Sequence, residues 1–270
     1  MESTQKYLKL KPYQQTSFDL TLQNENPTPD FPLLPLIHKV DSVRNPNKEK
    51  PTSFDYFISG YILPTFCDVF GENLIYTFVG RPAYREHTTP VCFILKPEAR
   101  LLQNLFLFDT GGFFDNRYSK IIDAFMDINL FRIPADSESI RKFIYRCYGS
   151  NEAYIRSISK NIDLFTTQNS EEEFAYLMLE HITNFQNIEF DSRCRTLENI
   201  IRTPINLYKY TMGIIMPKSQ IKFRFIHKFL KMKRNKIDIM LYDDNTDIDN
   251  NKAVDDILYR YYQRKGYFSS

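Results

Sequence analysis

The sequence predicts an α+β fold, in which a twisted mixed or antiparallel sheet carries a helical insertion and a C-terminal helix. Three short runs rich in β-branched and aromatic residues follow one another closely at 74–79, 91–95 and 105–108, a pattern typical of strands in one sheet. Helical spacing of apolar residues dominates the middle third of the chain. Strand character then returns before a final amphipathic segment. That order indicates a single interlocked α+β domain.

The first part of the chain is expected to hold an arm and the opening strand. Residues 1–32 are mostly polar and end in a proline-rich stretch, so we predict an N-terminal arm outside the core. Residues 33–270 form the predicted domain. Its first strand covers 33–40 and carries His38 near its end.

Helices are predicted from capping residues and from apolar spacing. Thr52, or the serine after it, caps a short helix that ends at Gly60. The helical insertion covers about 119–185, and its clearest helix begins at Asp136 or the serine that follows. A closing helix is predicted at 253–262. Further strands are predicted at 196–201, 212–216 and 237–242.

The composition places the chain among ordinary globular proteins. Hydrophobic residues make up 43% and charged residues 25% of the chain, and the net charge of +2 gives no global attraction to nucleic acid or to a membrane surface. No apolar run approaches the roughly 18–20 residues of a membrane span, and no signal peptide is evident. The four cysteines are too widely spaced for a zinc-type pair. We therefore expect a cytoplasmic protein that makes no membrane contact.

The order of several polar and aromatic residues resembles that of the ADP-ribosyltransferase superfamily, in particular its diphtheria-toxin-like and DNA-targeting branches. Proteins of this kind often begin with a strand that bears His or Arg, followed by a helix that ends in Gly. A central strand then contributes an aromatic residue, and a late strand contributes a catalytic Glu. In this chain the corresponding residues are His38, Gly60, Tyr76 or Tyr84, and Glu198.

The resemblance implies a role for each of these residues in binding and cleaving NAD. His38 is expected to contact the ribose and the nicotinamide amide, and Tyr76 or Tyr84 to stack on the nicotinamide. Glu198 is expected to hold a ribose hydroxyl. Its carboxylate would also stabilise the positive charge that develops on the sugar as nicotinamide departs, which requires a negative group in place beforehand.

The resemblance also assigns supporting groups and a class of activity. Arg81 is expected to meet the phosphates, since a guanidinium pairs well with phosphate oxygens, with Arg85 and Asp109 near the same cleft. NAD is then a substrate, and no metal site is expected. The chain is expected to transfer ADP-ribose to a protein or nucleic-acid target, or to hydrolyse NAD, as toxin and antiviral defence effectors do. The long loop at 41–51 departs from the family pattern, as does the lack of an acidic residue two positions before Glu198.

A non-catalytic interaction module is the alternative from another functional class. The segment 218–236 is rich in Lys and Arg with Phe residues interleaved, which suits a protein or nucleic-acid partner. Such a segment also fits an element with a solvated basic face and an aromatic face in the core. Geometry separates the two classes, because the enzyme needs His38, Arg81 and Glu198 to line one pocket.

Two acidic motifs suggest other chemistry. The run Phe108-Asp109-Thr110-Gly111 resembles the active-site loop of aspartic proteases. Because the chain holds this motif once, a protease would have to be a homodimer that shares a proton between two copies of Asp109. The same residues also fit a simple turn in which Asp109 caps its own backbone and a following glycine adopts positive φ. The run 243–250 has alternate oxygen ligands but lacks the glycine and closing carboxylate of a calcium loop.

Overall fold

The computed structural model of the chain describes residues 7–16, 19, 22–28, 30–42, 50–83, 87–114, 127–158, 195–232, 237–244 and 249–268. Two predicted site residues, Tyr84 and Arg85, lie outside these ranges. The predicted helical insertion at about 119–185 is covered only at 127–158, where two helices are present.

The described residues form an α+β fold with a mixed, mostly antiparallel sheet and a C-terminal helix, as the sequence predicts. The strands are β1 (Leu36–Asp41), β2 (Tyr61–Ile62), β3 (Thr65–Cys67), β4 (Glu72–Val79), β5 (Pro90–Leu95), β6 (Leu105–Phe106), β7 (Arg132–Ile133), β8 (Glu198–Ile201), β9 (Ile205–Asn206), β10 (Thr211–Pro217) and β11 (Asp238–Tyr242). The helices are α1 (Ser53–Ser59), α2 (Thr110–Phe114), α3 (Ser137–Tyr148), α4 (Asn151–Ile155), α5 (Leu207–Tyr210), α6 (Arg224–Met232) and α7 (Asn250–Lys265). No helix among the described residues is both long enough and apolar enough to cross a bilayer.

The main sheet places β1 near its centre. Neighbouring strands follow the order β11, β10, β5, β1, β4, β8, β6 and β7, while β3 pairs with β4 and β2 pairs with β9. Strands β10 and β11 run parallel, and the other paired strands described are antiparallel. The strand that carries His38 therefore lies between β5 and β4, and β8 is the next strand beyond β4.

The ladder between β1 and β4 is unusually short. Strand β1 pairs with β5 along its whole length, from Leu36 to Asp41. It pairs with β4 at two positions only, Leu36 with Val79 and Ile37 with Phe78. The N-terminal half of β4 pairs with β3 instead. Strands β1 and β4 therefore separate after Ile37, and a gap opens inside the sheet.

Helix α3 confirms the helix predicted from apolar spacing in the middle of the chain. The Asp136 carboxylate accepts a hydrogen bond from Ser139 N at 2.8 Å and so caps the helix. Gly149 ends it in a left-handed conformation, with φ of 79°. The apolar side chains predicted to share one face are all buried: Ile140, Phe143, Ile144 and Cys147.

Helix α1 also begins and ends where the sequence predicts, and it is held between the sheet and α6. Phe57 of α1 packs against Phe93 of β5 and Phe229 of α6, with ring centroids 5.4 and 5.2 Å apart. Gly60 ends α1 with φ of 74°. Its carbonyl accepts the amide N–H of Leu207 at 2.9 Å, so the end of α1 is tied to α5.

Part of the predicted N-terminal arm packs on the domain. Leu22 and Phe31 are buried in the hydrophobic core. The amide N–H of Leu8 donates to the carbonyl of Val69 at 2.8 Å. The described part of 1–32 therefore contributes to the core as well as to the surface.

We predict that Gly60→Ala destabilises the protein by more than the conformational cost alone. A left-handed backbone costs a non-glycine residue about 1–2 kcal/mol. A Cβ at this position would also lie 2.2 Å from a ring carbon of Tyr208, so the Tyr208 ring, or α5 with it, must shift. Urea unfolding measures the loss. Ile58→Ala, on the exposed face of the same helix, is the control and should change the unfolding free energy little. Equal stability of the two variants would contradict this account of Gly60.

Candidate functional site

A cavity of about 460 Å³ lies where β1 and β4 separate. Volumes of this size are typical of small-molecule sites. The gap between the two strands thus becomes a cleft, whose walls come from β1, β3, β4, α1, α2 and the segment before β5. The polar and aromatic residues that line it include His38, Asp41, Tyr56, Cys67, Tyr76 and His87.

His38 bridges the gap in the sheet. Its Nδ1 lies 2.8 Å from the carbonyl oxygen of Tyr76, a backbone atom of β4. Because a carbonyl only accepts, Nδ1 carries the proton and Nε2 has a free lone pair. Nε2 is buried and has no hydrogen-bond partner among the described residues. Burial lowers the pKa of His38 to about 4, so the imidazole is neutral at physiological pH.

Two tyrosines and a cysteine complete the wall around His38. The Tyr76 hydroxyl and the Cys67 thiol lie 2.6 Å apart, which fixes the Tyr76 ring against β3. The Tyr56 ring on α1 lies 5.6 Å from the His38 ring, in a tilted arrangement. Burial raises the pKa of Tyr56, so its hydroxyl remains protonated and can donate a hydrogen bond. Apart from the cleft's charged rim, this wall is aromatic and neutral.

Glu198 lies directly behind the cleft wall. It is fully buried at the start of β8, paired with Phe78 of β4. Residues paired across antiparallel strands point to the same face, and so do residues two apart on one strand. Glu198 therefore shares a face of the sheet with Phe78 and Tyr76, which both line the cavity. Glu198 itself does not line the cavity.

Helix α2 covers the Glu198 carboxyl. One oxygen, Oε2, accepts hydrogen bonds from the Thr110 amide at 3.0 Å and from the Thr110 hydroxyl at 2.6 Å. The other, Oε1, is buried with no hydrogen-bond partner among the described residues. Gly111 and Phe114 of the same short helix line the cavity. One turn of helix thus separates the carboxyl from the cleft.

Glu198 and Asp109 form a pair of buried carboxyl groups. Both residues are fully buried. Burial, followed by the nearby charge of Asp109, raises the pKa of Glu198 well above its usual range, although the two Thr110 donors oppose this. The raised pKa of Glu198 therefore favours a proton retained within the pair over two adjacent carboxylates.

The Asp109–Gly111 segment begins a helix and does not form the predicted turn. Asp109 does cap its own backbone, because its Oδ1 accepts the Gly111 amide at 2.9 Å. However, α2 begins at Thr110, and the expectation of positive φ at Gly111 or Gly112 is wrong: neither is among the positive-φ glycines. The carboxyl next to Asp109 is Glu198 of the same chain, and a fully buried Asp109 does not suit the two-fold interface of a dimeric protease.

Arg81 is held away from the cleft. It is 8% exposed, and its Nη1 donates to the carbonyls of Tyr154 at 3.2 Å and Ile155 at 3.4 Å and to the Ser157 hydroxyl. These acceptors stand at the C-terminal end of α4, where a cation is favourable. Arg81 does not line the cavity. Of the residues expected around one ligand, the structure brings His38 and Tyr76 to the cleft, puts Glu198 and Asp109 behind its wall, and ties Arg81 to α4.

Sequence reasoning missed the other histidine of the cleft. His87 Nδ1 lies 3.0 Å from an oxygen of Asp41, and both residues line the cavity. The available signal was positional: Asp41 ends β1, and His87 precedes β5 by three residues, so pairing of those two strands brings them together. Among the described residues, no group of three or more His, Cys, Asp and Glu side chains could hold a metal ion.

We predict that Glu198→Gln becomes more stabilising, relative to the wild type, as pH rises. A carboxyl whose pKa is raised on folding contributes most stability below its unfolded pKa and loses it as pH rises through the folded value. Gln cannot ionise, so this loss disappears in the variant. Urea unfolding at pH 5 and pH 8 measures the difference.

The matched control is Glu98→Gln, which removes a side-chain carboxylate that is 42% exposed. Its effect on the unfolding free energy should be small and similar at both pH values. A Glu198→Gln variant that loses equal stability at pH 5 and pH 8 would rule out the protonated pair.

Comparison with protein-family models, with curated proteins and with solved structures found no match for this chain. The cleft and the groups around it therefore carry the assignment of a function. Within the described residues, the chemistry concentrated there consists of two histidines, two buried carboxyls and a tyrosine-lined wall.

Proposed function

We propose that the chain binds NAD in the cleft between β1 and β4 and cleaves the bond between nicotinamide and ribose. The ADP-ribose passes to a macromolecular target or to water. One observation carries the proposal: His38, Tyr76 and Glu198 stand on three neighbouring strands, β1, β4 and β8, beside the place where the sheet opens. Glu198 follows His38 by 160 positions and Tyr76 by 122, and strand pairing places the three on neighbouring strands, with Glu198 and Tyr76 on the same face of the sheet.

The tautomer of His38 suits recognition of the nicotinamide riboside half of NAD. With Nδ1–H committed to the Tyr76 carbonyl, Nε2 can accept a hydrogen bond from a carboxamide N–H or a ribose hydroxyl. The neutral imidazole adds no positive charge next to a nicotinamide ring that is already cationic. Tyr76 and Tyr56 provide aromatic surface for the ring on either side of His38.

The carboxyl pair supplies the negative charge that the reaction needs. As nicotinamide leaves, positive charge develops on the ribose, and a preorganised anion in a dry site stabilises it strongly. Glu198 and Asp109 are both fully buried, and the charge of Asp109 is one of the causes that raise the pKa of Glu198. For Glu198 to hold a ribose hydroxyl, α2 has to move aside so that the hydroxyl reaches Oε1, which has no hydrogen-bond partner among the described residues.

The phosphates are assigned to Lys50 rather than to Arg81. Lys50 is exposed and lines the rim of the cavity. Arg81 instead holds the end of α4, so its substitution is expected to act through folding. NAD remains the proposed substrate, and Lys50 replaces Arg81 as the cation assigned to its phosphates.

The decisive experiment follows nicotinamide release from NAD. The wild type is expected to release nicotinamide, and Glu198→Gln is expected to reduce kcat by about 100-fold or more, since Gln cannot become the carboxylate that stabilises the sugar cation and loss of one electrostatic stabiliser typically costs this much. Glu98→Gln is the control for loss of a carboxylate and should keep wild-type activity. Calorimetric titration with NAD reports binding separately.

His38→Ala should weaken NAD binding, because the contacts assigned to His38 are made to the substrate itself. The proposal fails if the wild type neither binds NAD nor releases nicotinamide in the presence of protein and oligonucleotide acceptors.

A basic surface on α6 favours a second function, the docking of a polyanionic partner. We define the basic face of α6 as Lys222, Arg224, Lys228 and Lys231, all exposed. No acidic residue occurs from position 218 to 232. The opposite side of α6 is buried through Ile226 and Phe229, which fits the expected element with one basic and one core face. A concentrated positive face of this kind attracts nucleic acid or an acidic protein surface.

Binding of a fluorescent single-stranded oligonucleotide tests the docking function. The wild type is expected to bind at low salt, and the double variant Lys228→Glu with Lys231→Glu is expected to bind at least tenfold more weakly with a smaller salt dependence. Lys252→Glu, an exposed position on α7, makes a single charge reversal elsewhere and should have little effect. Polyglutamate in place of the oligonucleotide shows whether phosphate is required. No binding by the wild type at low salt would exclude the function.

A further inference from the structure

We propose that Asp41 and His87 form a proton-accepting pair that activates the acceptor of ADP-ribose in the cleft. This inference rests on the proposed NAD cleavage and names the class of acceptor, a hydroxyl group of water or of a macromolecule. The pair lies at the rim of the cavity that His38 and Tyr76 also line.

The geometry of the pair fixes the orientation of the His87 ring. Its Nδ1 lies 3.0 Å from Asp41 Oδ2. A carboxylate only accepts, so Nδ1 carries a proton and Nε2 is the nitrogen left to accept one. Nε2 is buried and has no hydrogen-bond partner among the described residues. An imidazole oriented by a carboxylate through one nitrogen, with the other nitrogen free to accept, is the arrangement of a general base.

Asp41 is held as a carboxylate by its neighbours. Burial raises its pKa, but hydrogen bonds from His87 and from the Thr89 amide, at 2.9 Å, outweigh burial, and the net pKa is lowered. Asp41 therefore stays ionised at neutral pH. A carboxylate at this distance orients the His87 ring through Nδ1.

Helix α7 also restrains the backbone around His87 through hydrogen bonds. The Asn251 side-chain amide donates to the His87 carbonyl at 2.8 Å, and the Asn250 amide donates to the Thr88 carbonyl at 2.7 Å. Asn251 is itself held by the buried Lys39 ammonium at 2.9 Å. Because β1 and α7 both restrain this segment, His87 is positioned before any ligand binds, as a general base requires.

The two histidines of the cleft are suited to different tasks. His38 is bonded through Nδ1 to a neutral peptide carbonyl, and burial lowers its pKa to about 4, so it resists protonation. His87 is bonded through Nδ1 to a carboxylate and is partly exposed, with 20% of its side-chain surface accessible. The carboxylate partner therefore assigns the general-base role to His87 rather than to His38.

The proposed step balances without a further reactant. The bond between ribose C1′ and the nicotinamide nitrogen breaks, and nicotinamide leaves with the electron pair. An acceptor O–H attacks C1′, the new C–O bond forms, and the O–H proton passes to Nε2 of His87. A carboxylate acceptor has no proton to give up, so a positioned base favours hydroxyl acceptors.

The test compares water with azide, a nucleophile that has no proton to lose. With water, His87→Ala is expected to slow product formation from NAD by about 100-fold, a typical contribution of a general base. With azide, the same variant is expected to form ADP-ribosyl azide at the wild-type rate. Asp41→Asn should behave in the same way and serves as a second variant should His87→Ala fail to fold. His227→Ala is the matched control, since His227 is exposed on α6.

Each outcome separates this inference from the proposed function. Loss of both reactions in His87→Ala and in Asp41→Asn, with folding intact, means a positioning role and overturns the general base. An unchanged water reaction in both variants overturns it as well, while NAD cleavage by the wild type still stands. If the wild type cleaves NAD with neither nucleophile, the proposed function has failed and the inference falls with it.

Discussion

The early end of the β1–β4 ladder is the constraint on which the cleft depends. Two strands that part inside a sheet leave backbone groups without strand partners, and buried groups of this kind are costly. Here a side chain takes over: the His38 ring donates to the Tyr76 carbonyl at 2.8 Å. Meanwhile β5 continues to hold β1 as far as Asp41. The gap is therefore braced on both sides, and a polar cavity can exist inside the sheet.

Burial of the ionisable groups around this cavity costs folding free energy. A sheet built only for stability would place apolar residues at Glu198 and Asp109, since two adjacent buried carboxyls cannot both ionise in a low dielectric. Thr110 satisfies one oxygen of Glu198, and a retained proton relieves part of the repulsion. Perturbed titratable groups concentrated beside a cavity are a physical mark of a functional site. The same groups explain why stability and activity are expected to respond differently to substitution.

The two histidines of the cleft differ in their hydrogen-bond partners. His38 faces a peptide carbonyl and remains neutral, whereas His87 faces a carboxylate. Both use Nδ1 for orientation, and both present Nε2. In the proposed reaction this difference in partner, one dipolar and one charged, assigns different tasks to two chemically identical side chains within one cavity of about 460 Å³.

Much of the fold could be predicted because its signals are local. Capping residues and apolar spacing located α1, α3 and α7, and β-rich runs located most strands of the main sheet. Other expectations depended on distant partners and were revised. The strand predicted over 105–108 ends at Phe106, since Asp109 caps a helix that covers Glu198. Arg81 was expected at a phosphate, but its acceptors belong to α4, more than seventy residues later. No local pattern marks His87, because Asp41 becomes its hydrogen-bond partner only when β1 and β5 pair.

The sequence by itself determined where helices and strands form, which residues are apolar enough for the core, and that His38, Tyr76 and Glu198 stand on strands. These properties follow from periodicity, capping and side-chain shape, which act over a few residues. Only the tertiary structure decided that β1, β4 and β8 are neighbours, that β1 and β4 part after two residue pairs, and that Arg81 turns away from the cleft. Strand order and register depend on long-range packing, so no local pattern in the chain specifies which distant side chains will meet.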